Sequence, residues 1–148
     1  MARMRGAEAL VQALEKEGVE YVFGLPGHGN MNILDAIYDS SQIEFKLVRH
    51  EQAAAHIADG YARTSGKVGV CCSSVGPGAA NMIMGIATAF YTSTPLVAIS
   101  GGIISTRARP PSQRFRAVTI SGTRATPRPI STIFLTVSTL SVETTGST

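Results

Sequence analysis

The run "IEFKLVRHEQAAAHIADGYARTSGKVGVCCSSV", residues 43–75, decides the fold. Its first six residues, 43–48, read as a strand. From about His50 to Ser65 the alanine-rich middle predicts a helix, since alanine loses least on entering one, and Gly66 stops it. "KVGVCCSSV" (67–75) has too few polar residues for a half-exposed strand and predicts one covered on both faces. A strand, a helix and a second strand in succession imply parallel strands joined by a right-handed crossover.

Working outward, the same alternation continues. Upstream, Leu10, Val11 and Leu14 share one helical face and Gly18 is placed to cap it. "VEYVF" (19–23) then reads as a buried strand that runs into the turn "GLPGHGN" (24–30), and Leu34, Ile37 and Tyr38 mark a short second helix. Downstream, Pro77 suits the first turn of a helix reaching about Tyr91, and "PLVAIS" (95–100) is the fourth strand. The predicted class is α/β: an open parallel sheet flanked by helices, with flavodoxin-like layering.

Composition divides the chain near Ile103. Residues 1–102 hold seven Lys and Arg against nine Asp and Glu, whereas residues 103–148 hold six arginines and one acid, Glu143. The net charge of +3 therefore arises entirely in the second part. That part, with 17 Ser or Thr among 46 residues, has no sustained amphipathic period and reads as a divergent Arg/Ser/Thr/Pro-rich extension without a packed core. Within it "ISTIFLTVSTL" (130–140) is either a strand or an aggregation-prone apolar run. Six arginines spread over 22 residues, with one aromatic among them, make a poor nucleic-acid arm, and no nucleic-acid partner is expected.

Several chemistries are excluded by spacing. A zinc-protease helix would need histidine at position 54, which is Ala54. There is no phosphate-binding G-x-x-x-x-G-K-[ST] loop, "GLPGHGN" lacks the spacing of a dinucleotide fingerprint, and nothing marks a nucleophile elbow. Cys71 and Cys72 are adjacent and point to opposite faces of a strand, so buried structural thiols are expected rather than a disulfide or a metal site. No charged residue lies between Val68 and Thr106, but Ser73, Ser74, Pro77, Asn81 and the "YTSTP" turn cut the run into pieces too short to span a bilayer. With no signal-peptide pattern either, a cytoplasmic chain is expected.

Three strand-to-helix turns remain: "GLPGHGN", "RHE" and "SSVGPGAAN". In an open parallel sheet all three open at the carboxyl ends of the strands, where ligands bind. Their glycines let backbone approach a flat ligand. Ser74 and Asn81 offer hydrogen bonds, and Glu51 is the carboxylate on that edge. Read from the residues alone, Glu51 either complements the positive end of its helix or handles a proton. Packed beside Ala53, Ala54 and Ala55, it is expected to be poorly solvated, with its pKa raised.

"GVEYVFGLPG", "RHEQAAAHIADGYAR" and "SSVGPGAAN" together resemble the N-terminal pyrimidine-binding domain of thiamine diphosphate-dependent enzymes, and most closely the acetolactate synthase, pyruvate oxidase and benzoylformate decarboxylase group. The resemblance covers residues 4–102, with three motifs in the right order. It implies thiamine diphosphate as cofactor and a 2-keto acid as substrate. It also implies that Glu51 hydrogen-bonds N1′ of the aminopyrimidine and favours the imino tautomer, whose 4′ nitrogen takes the proton from thiazolium C2. By the same resemblance Pro26 and Gly27 match the loop near the aminopyrimidine, and Ser74, Pro77, Gly78 and Asn81 match the loop lining its pocket. His28 falls where the family places substrate-facing groups, and is either such a group or an exposed turn histidine. His50 stays open between a structural and a functional role, and His56 and Asp59 read as structural.

The family's "GDG…N" signature, which holds the diphosphate and Mg2+, is absent from these 148 residues. The resemblance therefore implies a partial domain that completes its site as a homo-oligomer or with a chain carrying the diphosphate-binding domain. The charge-free helix after Asn81 is expected at such an interface. After "ISGG" the sequence departs from the family pattern, which suggests a shifted reading frame over 103–148, an exposed sheet edge beside the fourth strand, and poor solubility. The alternatives are a non-catalytic association module or an inactive truncated product.

Overall fold

The computed structural model describes residues 5–101, 118–121 and 131–137. Four strands, β1 (Tyr21–Gly24), β2 (Glu44–Leu47), β3 (Gly69–Ser73) and β4 (Leu96–Gly101), lie parallel in the order β2-β1-β3-β4. The α/β reading, an open parallel sheet flanked by helices, is what the structure has, and the strand order observed is the flavodoxin-like one.

Each helix forms for a local reason. α1 (Gly6–Lys16) ends in a Schellman motif: Val19 N–H reaches Leu14 O at 3.0 Å, Gly18 N–H reaches Glu15 O at 2.9 Å, and Gly18 takes φ +72°. Val19 is thereby used to close the helix, so β1 begins at Tyr21 rather than at 19. α2 (Met31–Tyr38) buries Ile33, Ala36 and Ile37 and leaves Tyr38 exposed, one position off the face expected from sequence. α3 (Glu51–Ser65) starts where His50 accepts a hydrogen bond from Gln52 N–H and stops at Gly66 in the left-handed region.

The helix expected over 77–91 is two helices, α4 (Pro77–Asn81) and α5 (Ile83–Tyr91). At the joint Met82 N–H bonds to Ala79 O, a tighter i→i−3 turn, and the Met82 side chain is fully buried as a pivot. Apolar periodicity does not register such a break, because both pieces bury small and apolar residues.

Alternation along the strands supplies two cores. Val22, Val70, Cys72 and Ile99 join α1 and α2 on one face. Phe23, Cys71, Leu96 and Ala98 join α3 and α5 on the other. With both faces covered, β3 is buried at every position, which accounts for its unbroken apolar run. The adjacent thiols are accordingly buried and unpaired, and burial pushes Cys72 up to about 11.

The alanines of α3 have a spatial cause. A Cβ on Gly69 of β3 would stand 2.1 Å from Ala58 O, and one on Gly85 of α5 would stand 2.4 Å from the Ala55 Cβ. α3 is thus clasped between sheet and helix at distances only Gly and Ala permit.

Beyond β4, β6 (Ser131–Val137) pairs parallel to it and β5 (Val118–Ser121) pairs antiparallel to β6. The exposed edge expected beside the fourth strand is therefore covered. Of the two readings of 130–140, the structure has the strand over Ser131–Val137. The rest of the Arg-rich extension lies outside the described residues.

Candidate functional site

The strand order places β2 and β3 on opposite sides of β1, with α2 and α3 on opposite faces of the sheet. The turns after β1 and β3 therefore lead to helices on opposite faces of the sheet, at the kind of switch point where open α/β sheets bind ligands. Gly24, Leu47 and Cys72 are level in register, so the three turns start at one height.

Glu51, the first residue of α3, meets α4 there. Asn81 Nδ2 donates to Glu51 Oε2 at 3.0 Å. Gly78, buried on the same face of α4, leaves room beside the other oxygen: a Cβ on it would be 3.1 Å from Oε1. Two residues three apart on one short helix thus frame the two oxygens of a single carboxylate.

The Asn81 hydrogen bond holds the Glu51 carboxyl below its usual value, helped by the backbone N–H of Glu51 and, more weakly, by His50; partial burial pushes the other way and is outweighed. This corrects the expectation of a raised pKa. The alanines beside Glu51 face the core, while the carboxylate itself points to a donor at the rim.

The glycine-rich turn after β1 is packed against the turn after β3. A Cβ on Gly27 would lie 2.5 Å from the Ser74 Cβ, and one on Gly29 would lie 2.4 Å from Val75 Cγ1. Gly29 N–H donates to Ser74 Oγ at 3.2 Å. Loop-on-loop packing requires glycine at both positions, and Ser74 is engaged in holding the turn. Asn30, completely buried, finishes the brace: its Oδ1 accepts from Gly27 N–H at 2.8 Å, and its Nδ2 donates to Leu25 O at 3.0 Å. Asn30 was not singled out from the sequence, because its bonds reach back three and five residues and lack the forward spacing of an Asx turn.

The predicted residues therefore fall into two contacts, Glu51–Gly78–Asn81 and Gly27–Ser74, joined through Ser73, whose Cβ lies 3.7 Å from the Gly78 Cβ position. Pro26, His28 and Pro77 are exposed along the same rim. His50 is the cap of α3. Asp59 is buried and ion-paired to Arg63 at 2.9 Å, and Arg63 also donates to Thr92 Oγ1 at 2.7 Å, tying the far end of α5 to α3. The i, i+4 pair was legible in sequence, and the link to Thr92 was not.

Among the described residues no helix is long and apolar enough to cross a membrane.

Comparison with known proteins gives the edge a context. The chain is 56% identical over 105 residues to the acetolactate synthase large subunit of Haemophilus influenzae, covering 71% of this chain and 18% of that protein. It is 54% identical over 100 residues to the probable acetolactate synthase large subunit of Methanocaldococcus jannaschii, covering 68% of this chain and 17% of that one. To the acetolactate synthase of Mycobacterium bovis it is 41% identical over 126 residues, 82% of this chain and 19% of that one. The chain thus spans less than a fifth of the length of these relatives. The sequence model described as "Thiamine pyrophosphate enzyme, N-terminal TPP binding domain" matches residues 4–122, past the change of composition near 103. The chain belongs to this family of thiamine pyrophosphate enzyme N-terminal domains.

Proposed function

We propose that this chain is the aminopyrimidine half-site of a thiamine diphosphate-dependent 2-keto acid decarboxylase or carboligase of the acetolactate synthase-like group, with Glu51 as the proton-handling residue. The observation that carries the reading is the Glu51 carboxylate, fixed at the carboxyl edge of a parallel sheet by Asn81, with Gly78 leaving space beside Oε1.

The donor set suits the cofactor's pyrimidine. A carboxylate held in its charged form accepts a hydrogen bond from a protonated ring nitrogen, and so favours the tautomer in which N1′ carries the proton. When bound, the cofactor supplies the electron sink that lets a 2-keto acid lose carbon dioxide. Glu51 would hold and exchange the N1′ proton. Pro26 and Gly27 would border the pyrimidine from the β1 turn, and Ser74 and Pro77 from the β3 turn, while His28 would face the substrate. The diphosphate and its Mg2+ would be held by a diphosphate-binding domain on a second copy or on another chain. In this reading residues 1–102 form the pyrimidine-binding part and 103–148 a divergent extension arising from a shifted reading frame. If no single-base change in the gene restores the family pattern downstream of 102, the frame-shift idea is lost.

Reconstitution tests the reading. With a chain carrying the diphosphate-binding domain, Mg2+ and thiamine diphosphate, pyruvate decarboxylation is expected to appear. Glu51→Gln should lower it about 10²-fold or more, the usual contribution of a positioned acid–base group. Unchanged activity in Glu51→Gln would remove Glu51 from the chemistry.

A second reading, a protein-association module, draws on α5. Ile83, Met84, Phe90 and Tyr91 are all exposed there, Tyr91 at 90%. Met84→Glu weakening association while leaving cofactor binding intact would favour that reading; loss of neither would count against it.

A further inference from the structure

We infer that Asn81 is a positioning residue for Glu51: by engaging Oε2 it fixes the rotation of the carboxylate and presents Oε1 to the space kept open by Gly78, where the ligand's N–H donor binds. This rests on the reading of Glu51 as the proton-handling group and assigns the two oxygens separate tasks.

Three observations carry it. The terminal torsion of a glutamate is broad and roughly two-fold, so an unanchored carboxylate at a helix start samples many orientations. The Asn81 amide at 3.0 Å removes that freedom at Oε2. Gly78, three residues earlier on the same face of α4, is the residue beside Oε1, where any side chain would stand at 3.1 Å and narrow the approach. The break at Met82 serves the same end. It lets α4 turn Gly78 and Asn81 toward Glu51 while α5 packs independently along α3.

The charge environment acts in the same sense. α4 faces Glu51 with an uncharged amide and a glycine, and His50 on the α3 side favours the carboxylate. Asn81 therefore both aims Glu51 and keeps it ionised, which suits acceptance of a proton-bearing ring nitrogen.

The test is the titration of Glu51 in the full 148-residue chain, followed by the carboxyl carbon signal of labelled glutamate. In the wild type the Glu51 midpoint is expected below the ordinary glutamate value, and in Asn81→Leu at or above it. Asn81→Gln, which keeps the donor on a longer stem, should fall between. The Glu8 and Glu20 midpoints should stay in place in all three, which a general loosening of the fold would not allow. If Asn81→Leu fails to fold, Asn81→Asp takes its place; it is isosteric and lacks the amide donor, and its like charge should raise the Glu51 midpoint further. A Glu51 midpoint that is the same in wild type and in the folded variant overturns the proposal.

Gly78→Ala separates the second half of the claim. It should weaken thiamine diphosphate binding at least several-fold with the Asn81–Glu51 contact retained; undiminished binding overturns the assignment of Oε1 to the ligand. If the wild-type chain, reconstituted with a chain carrying the diphosphate-binding domain, shows no cofactor binding at all, the reading of the site fails and takes the assignment of Oε1 with it. The Glu51 titration, which needs no ligand, still decides whether Asn81 positions the carboxylate.

Discussion

Glu51, Asn81 and Gly78 come from two helices whose first residues lie 26 positions apart, and their meeting depends on α3 and α4 both starting at the carboxyl edge of the sheet. Acid should expose the energetics of that meeting. Glu51, Glu8 and Glu20 all have folded-state pKa values below the ordinary one, held there by Asn81, Arg5 and Lys67 respectively. A carboxyl with a depressed folded pKa adds stability above its unfolded pKa, and that stability is lost as pH falls through the folded value. Urea unfolding should therefore show stability level near neutrality and falling below about pH 4.3, the ordinary glutamate value. In alkali the raised pKa values of Lys67 and Tyr61 predict a second loss above about pH 10. A stability that stays flat from pH 6 to pH 3 would contradict these contacts. The position of Glu51 was legible in sequence because a carboxylate beside an alanine-rich helix is conspicuous. Its lowered pKa was not, because the donor that sets it sits 30 residues away.

At the level of elements, helix-to-helix clearance governs the site. α5 lies so near α3 that a Gly85 Cβ would sit 2.4 Å from the Ala55 Cβ and 2.9 Å from the Ala55 carbonyl carbon. Gly85→Ala should cost about 1–3 kcal/mol, the usual range for overpacking a core. Ala55→Gly should recover only part of it, because the clash with backbone persists; full additivity in a double-mutant cycle would show that the helices are not in contact. At the far end Arg63 holds buried Asp59 and reaches Thr92. Arg63→Ala should cost about 1–2 kcal/mol, with the ion pair discounted because Arg63 is partly exposed. Strands and helices through residue 100 were legible because each carried its own period and its own cap or breaker. The division at Met82 was not, since a local tightening leaves the apolar pattern intact. Nor was the packing of Gly27 and Gly29 against Ser74 and Val75, which joins turns far apart in sequence.

For the whole molecule, the sheet continues past β4 into β6 and β5, and the family match runs to residue 122. The compositional change near 103 therefore does not mark the edge of the sheet. Of the exposed apolar side chains of α5, Ile83 and Met84 open the helix directly after Asn81, whereas Phe90 and Tyr91 stand at its other end. The proposed function requires that the carboxyl edge that carries Glu51 receive the pyrimidine of thiamine diphosphate. The most direct measurement is a titration of the 15N-labelled chain, reconstituted with a chain carrying the diphosphate-binding domain, with thiamine diphosphate and Mg2+, read from backbone amide shifts. The shifts are expected to centre on Glu51, Gly78, Asn81 and the 26–29 turn, and to be lost in Glu51→Ala. No shift at saturating cofactor, or shifts that survive Glu51→Ala unchanged, would contradict the account.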